Sequence, residues 1–112
     1  MAQTANGDGR FNADIREVKI TKAADGSYSF EVTVVHADEG WQHYADKWDI
    51  VAPDGSLLGS RTLYHPHVNE HPFTRSLPKV EIPAGISQVT VLAHDSTHGY
   101  SGKELSVALP SR

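Results

Sequence analysis

The chain has no cysteine, a single methionine and no long apolar run. Without cysteine it can form neither disulfide bonds nor thiolate metal sites, and it has no cysteine nucleophile. No stretch approaches the roughly 18 apolar residues of a membrane-spanning helix, so we expect no membrane partner. The net charge of −4 argues against nucleic acid as a partner, because proteins that bind the phosphate backbone usually carry a basic face.

The length of 112 residues suits one domain with one core. Residues 1–13 are polar and predict a flexible N-terminal arm, which leaves residues 14–112 as a single domain. The first ten residues lack the apolar region of a signal peptide. We expect a cytoplasmic protein if the numbering starts at the natural N-terminus, and a periplasmic one if a leader has been removed.

Apolar and polar residues alternate along most of the domain, which is typical of strands with one buried face. Trp48 and Ile50, for example, share the parity that we expect to be buried, and Pro53-Asp54-Gly55-Ser56 predicts a tight turn after them. A shift of the apolar parity near Pro78 predicts a bulge. The predicted strands cover residues 17–21, 28–36, 43–52, 57–64, 73–82, 88–95 and 105–109.

Seven short strands with regular turn signals favour an all-β fold, a Greek-key sandwich of the immunoglobulin or fibronectin type III kind. A barrel is the alternative. Because successive strands run in opposite directions, the segments 36–43, 65–72 and 95–103 are expected at one end of the sandwich. All seven histidines lie in or beside these three segments, so we call this the histidine-rich end.

The histidine-rich end predicts a metal site first. His65 and His67 are two positions apart and can project to the same side of an extended strand. Imidazole and carboxylate ligands without cysteine favour zinc or copper(II). The candidate ligands are His65, His67, His71, His43, His94, His98 and Glu70. In the alternative interpretation several histidines, His36 and His94 above all, hydrogen-bond loop carbonyls and carboxylates without any metal.

The second hypothesis is a recognition surface for a protein or a small polar ligand, because aromatic side chains combine a rigid contact area with a polar tip. Its candidate residues are Trp41, Tyr100, Arg75 and Asp95.

An enzyme is the least favoured class. His94-Asp95-Ser96 has the residue types of a catalytic triad, but neighbouring strand residues point to opposite faces and cannot form a relay. A metal-dependent hydrolase would need only the ligands already named and a water molecule.

Several motifs carry a family resemblance. They are Trp48 with Pro53-Asp54-Gly55, then His65-Pro66-His67, Pro72-Phe73-Thr74-Arg75-Ser76, Ala93-His94-Asp95 and His98-Gly99-Tyr100. With these motifs the chain resembles, over roughly residues 40–110, a family of small uncharacterised bacterial proteins. The resemblance implies that the histidine-rich end acts as one unit, and it implies no particular activity.

Overall fold

The computed structural model describes residues 13–35, 44–63, 72–96, 99–100 and 102–110. All regular elements in these ranges are strands, and their number matches the prediction. They are β1 (Asp14–Lys22), β2 (Tyr28–Val35), β3 (Ala45–Val51), β4 (Leu57–Thr62), β5 (Phe73–Val80), β6 (Gln88–Asp95) and β7 (Leu105–Ala108). Within the same ranges no helix is long and apolar enough to cross a membrane.

The strands form two antiparallel sheets. One has three strands in the order β1-β2-β5, and the other has four in the order β4-β3-β6-β7. The predicted all-β class is therefore confirmed, and the two separate sheets do not support a barrel.

The core lies between the two sheets. Each strand turns alternate side chains inward, so the period-2 pattern read from the sequence identifies most of the core correctly. Trp48 and Ile50 are completely buried, as is the β2 row that faces them. The largest fully buried side chains are Trp48, Phe30, Phe73, Ile15, Ile50, Val32, Val34, Val89, Val91 and Asp95.

Four register shifts interrupt the pairing of the described strands, and two of them bear on the prediction and on the site. The register of β2 with β5 shifts between Leu77 and Val80, which confirms the bulge predicted at Pro78. Lys79, next to that proline, has a φ of 58°, a left-handed conformation that is costly for a residue with a side chain. A second shift, between Ala45 and Lys47 of β3, leaves Asp46 without a partner in β6.

The strand ends that adjoin the histidine-bearing segments lie at the same end of the sandwich. In the three-stranded sheet, the pairings join Asp14 to Val35 and Val34 to Phe73. In the four-stranded sheet they join Ala45 to Asp95 and Lys47 to Thr62. The described residues therefore agree with the expected strand directions on which the histidine-rich end was based.

A clip between β1 and the segment before β7 connects the two sheets at this end. The Ile15 amide donates to the Lys103 carbonyl at 2.8 Å, and the Lys103 amide donates to Asp14 Oδ1 at 2.7 Å. Beside them Gly102 lies so close to Ala13 that an added Cβ would stand 1.8 Å from the Ala13 carbonyl oxygen. Only glycine fits at this contact.

Candidate functional site

The site centres on a histidine held by a carboxylate. His94, near the end of β6, lies with its Nδ1 2.6 Å from Asp46 Oδ1 on β3. Both side chains are 28% exposed, so the pair is shielded but accessible. A carboxylate on Nδ1 fixes the orientation of the ring and leaves Nε2 as the nitrogen that can bind a ligand. Nε2 has no hydrogen-bond partner in the described part of the chain.

The bulge in β3 explains why these two side chains meet. Ala45 points into the core, whereas Lys47, two positions further on, lies on the outer face, so the regular alternation breaks at Asp46, the extra residue opposite β6. A bulge turns a side chain away from the direction that the pleat would give it. Asp46 can therefore reach His94, although Lys47 is the residue paired with His94 in the sheet.

The ring of Tyr100 contacts the same histidine. The two rings meet edge to face, with centroids 4.8 Å apart and an interplanar angle of 71°. The Tyr100 hydroxyl donates a 2.6 Å hydrogen bond to Asp49 Oδ2, which lies on the outer face of β3. Tyr100 thus lies across the outer face of the four-stranded sheet with its ring against His94.

Asp49 collects further polar groups, and together with Ser60, Tyr100 and Lys47 it forms what we call the Asp49 cluster. The Ser60 hydroxyl donates to Asp49 Oδ1 at 2.6 Å, and Lys47 Nζ lies 3.6 Å from Oδ2. The Lys47 ammonium also stands 5.4 Å from the centroid of the Tyr100 ring. Asp49 is only 6% exposed, so its charge depends on these partners rather than on water.

The contacts within the cluster raise the pKa values of two of its members, Tyr100 and Lys47. Burial raises the pKa of Tyr100, and the hydrogen bond to Asp49 raises it further, so the hydroxyl remains a donor. The Tyr100 hydroxyl is the main cause that raises the pKa of Lys47, followed by the charge of Asp49. Lys47 therefore stays positive beside the carboxylate.

Backbone contacts fix the residues that adjoin two further histidines. The Tyr44 amide donates to Ser96 Oγ at 3.0 Å, and the Ser96 amide donates to the Tyr44 carbonyl at 2.9 Å. Asp95 and Gly99 exchange two backbone hydrogen bonds of 2.9 Å, with Gly99 in the left-handed region at a φ of 67°. Tyr44 follows His43 in the sequence and Gly99 follows His98.

Most of the predicted ligands lie outside the described residues, so their prediction stays untested. Within the described ranges His94 is the one predicted metal ligand, and no group of three histidine or carboxylate side chains with metal-binding spacing occurs there. The predicted site residues outside these ranges are His43, His65, His67, His71, His98, Glu70 and Trp41, and His36 lies outside them as well.

The described residues of the predicted recognition surface differ in their exposure and contacts. Tyr100 is exposed, at 47%. Asp95, expected on the same surface, is instead completely buried, since it continues the inward row of Val89, Val91 and Ala93. The Arg75 guanidinium lies 5.6 Å from the centroid of the Phe73 ring and donates to the Thr74 carbonyl.

His94, Asp95 and Ser96 do not form a catalytic triad with one another. The carboxylate on His94 comes from Asp46, and Ser96 Oγ accepts a hydrogen bond from the Tyr44 amide. The expectation that these three residues form no contiguous relay agrees with this geometry.

Four residues that shape the site were not among the predicted ligands: Asp46, Lys47, Asp49 and Ser60. The sequence contains one signal for Lys47 and Asp49, because two charged residues at alternate positions flank the buried Trp48. That pattern places both charges on the outer face of a central strand, where a charged residue usually needs partners.

The fold and the site thus define an all-β, two-sheet domain with a carboxylate-held histidine at one end. No protein-family model and no solved structure matches the chain. The chain is similar to a protein of the halophilic archaeon Halomicrobium mukohataei described as a "Putative lipoprotein", with 40% identity over 95 residues. The match covers 85% of this chain and 46% of the relative, so the chain spans about half the length of that protein.

The comparison supports the predicted resemblance in its coarser form, since the relative's description names no activity. The relative is archaeal, and the bacterial origin and the motif pattern of the predicted family remain predictions.

Proposed function

We propose that this chain is a binding domain whose histidine-rich end coordinates one divalent metal ion, zinc or copper(II). The observation that carries the proposal is the contact between His94 Nδ1 and Asp46 Oδ1 at 2.6 Å. Histidines that bind metals almost always give their second ring nitrogen to a carboxylate, a carbonyl or water, which fixes the ring and makes the free nitrogen a better ligand.

The chain connectivity supports two further ligands. His43 immediately precedes Tyr44 in the sequence, and His98 immediately precedes Gly99. Tyr44 and Gly99 are hydrogen-bonded to Ser96 and Asp95, the two residues that follow His94. We therefore place His43, His94 and His98 first in the ligand set.

The segment that contains His65 and His67 starts from the same region. The Leu63 amide donates to the Asp46 carbonyl at 2.9 Å, which brings the chain two residues before His65 next to the Asp46–His94 pair. In the proposal His65, His67, Glu70 or His71 completes the coordination, because zinc accepts four ligands and copper(II) a tetragonal set.

Calorimetry of the full chain, freed of metal with a chelator, tests the proposal. We expect one ion per chain at pH 7.5 for Zn²⁺ or Cu²⁺. His94→Ala should abolish tight binding, and Asp46→Asn should weaken it about 10- to 100-fold, the usual cost of losing such a carboxylate. His43→Ala with His98→Ala should cost more affinity than His65→Ala with His67→Ala.

His36→Ala is the matched control, since His36 is a histidine of the same end that is not in the ligand set. It should leave the affinity unchanged. An excess of metal at about 100 times Kd should stabilise the wild type by about 2.7 kcal/mol and raise its melting temperature. If calorimetry detects no saturable heat of binding with either ion at pH 7.5, the metal proposal is wrong.

A recognition module for a protein or a small polar ligand is the second candidate. It is favoured by Tyr100, which is 47% exposed although it is anchored through its hydroxyl. Tyrosines that are rigid and exposed are common in binding surfaces. Capture of a partner that survives chelator and is lost in Tyr100→Ala or Trp41→Ala would support this candidate over the metal site.

We also propose the finer fold class, a sandwich of the fibronectin type III kind. The support is the strand order, β1-β2-β5 facing β4-β3-β6-β7, in which the chain passes to the other sheet after β2, after β4 and after β5. An experimental structure that shows the same order together with the crossing segments would test this class.

A further inference from the structure

The outer face of the four-stranded sheet carries an inference about the proposed metal site, and the inference rests on that proposed function. Tyr100 is about half exposed, so burial in the core does not determine where it lies. Its position is set by specific contacts: the hydroxyl on Asp49 at 2.6 Å, the ring of His94 at 4.8 Å, and the Lys47 ammonium at 5.4 Å.

The anchor of Tyr100 is itself well fixed. Asp49 lies on β3, which pairs with β4 on one side and with β6 on the other. Its second carboxylate oxygen accepts a hydrogen bond of 2.6 Å from Ser60 of β4. A carboxylate with both oxygens occupied and little contact with water has few alternative rotamers, so it can hold the phenol at one place.

The contact with His94 adds something that Asp46 cannot supply. The hydrogen bond at Nδ1 limits the imidazole to orientations that keep Nδ1 on Asp46, but coupled changes in the side-chain torsions of His94 and Asp46 can still tilt the ring without breaking the bond. The ring of Tyr100, at 71° to the imidazole, restricts this tilt. The hydrogen bond and the aromatic contact together thus select one orientation before any ion arrives.

We propose that Tyr100, tethered to Asp49, is the positioning residue of the metal site and holds the His94 imidazole in its ligating orientation. It acts through His94 and does not itself bind the ion, because its hydroxyl already donates to Asp49. Preorganised ligands bind more tightly because less side-chain freedom is lost on binding.

The test compares variants that remove the tether with one that removes the ring. Tyr100→Phe keeps the ring and loses the hydroxyl, Asp49→Asn weakens the anchor, and Tyr100→Leu removes the aromatic wall. Each should weaken Cu²⁺ and Zn²⁺ binding about tenfold, at the lower limit of outer-shell effects. The double variant Tyr100→Phe with Asp49→Asn should be no weaker than the weaker single variant, since both break the same tether.

Tyr28→Phe is the control, because it also removes a tyrosine hydroxyl, but at the end of β2 that lies away from the histidine-rich end. The electron paramagnetic resonance spectrum of the Cu²⁺ complex provides the readout that a purely structural role would not change. At saturating Cu²⁺ we expect one set of copper parameters in wild type and Tyr28→Phe, and a mixture of species in Tyr100→Phe and Tyr100→Leu. Far-ultraviolet circular dichroism would show that each variant is folded.

Unchanged affinity and an unchanged copper spectrum in Tyr100→Phe and Tyr100→Leu would overturn the positioning role. If His94→Ala still abolished binding in that case, the proposed metal site would stand without the positioning role. A phenolate-to-copper charge-transfer band that disappears in Tyr100→Phe would make Tyr100 a ligand, and that also overturns the inference. Absence of metal binding by the wild type would overturn the metal site and the inference together.

Discussion

Replacement of Asp49 by asparagine is the most direct test of the buried polar cluster on the sheet. The carboxylate accepts hydrogen bonds of 2.6 Å from Ser60 and from Tyr100, and Lys47 lies 3.6 Å away. Bonds to a charged acceptor are roughly twice as strong as neutral ones, which contribute about 1 kcal/mol net. Asparagine keeps the shape but loses the charge.

The expected loss follows from these contacts. Two weakened hydrogen bonds cost about 2 kcal/mol together, and the partly exposed ion pair with Lys47 adds at most a few tenths. Asparagine is uncharged, so the variant avoids the free-energy cost of burying a charge, and this offsets part of the loss. We therefore expect Asp49→Asn to lower the free energy of unfolding by about 1.5 kcal/mol, which corresponds to a melting temperature about 6 °C lower for a domain of this size.

Urea unfolding followed by tryptophan fluorescence measures the change, because Trp48 is next to Asp49 and completely buried. Asp54→Asn is the matched control. Asp54 accepts similar bonds from Ser56, at 2.7 and 2.9 Å, but its turn is exposed, so little change is expected. If Asp49→Asn is as stable as the wild type or more stable, the buried carboxylate is not a net stabilising group, and the reasoning is refuted.

Three further predictions concern other parts of the chain. Because the pKa values of Tyr100 and Lys47 are raised in the fold, they contribute stability that is present below the unfolded values and lost as pH rises through the folded ones. Stability should thus fall above about pH 10, and chemical denaturation from pH 9 to 12 should show a shallower fall in Tyr100→Phe; equal slopes would contradict the assignment. Gly102→Ala should cost about 1 to 3 kcal/mol, because its Cβ would overlap Ala13, and a thermal melt equal to wild type would argue against that contact. Lys79→Gly should stabilise the fold by about 0.5 to 1 kcal/mol by relieving the positive φ, and a lower melting temperature would show that the Lys79 side chain matters more than its backbone strain.

The sequence predicted the parts of the fold that depend on local alternation. Trp48, Ile50, Val89 and Val91 are buried because residues two apart share a sheet face, and Pro78 marks a bulge because proline cannot donate to a ladder. The same rule could have placed Asp95 inside, since it follows Val89, Val91 and Ala93 at steps of two.

The candidate site depends on relations that local patterns do not contain. His94 and Asp46 are 48 positions apart, and Tyr100 and Asp49 are 51 apart. The first pair also needs the bulge that frees Asp46 from the regular pleat. Alternation excludes Asp95, the direct neighbour of His94, as its partner, but it does not choose Asp46 among the other acidic residues expected at this end. The sequence could therefore place the histidine at this end but could not select its carboxylate.

The clip between β1 and the segment before β7 has a mechanical consequence. Both strands run away from the histidine-rich end, so β1 starts there while β7 finishes at the opposite end of the sandwich. A force that pulls the first described strand and the last one apart therefore acts along the strands. The bonds from Ile15 to Lys103 and from Lys103 to Asp14 lie across that direction and are loaded in shear, both at once. A domain built this way resists tension at its clip first, before either sheet begins to unzip.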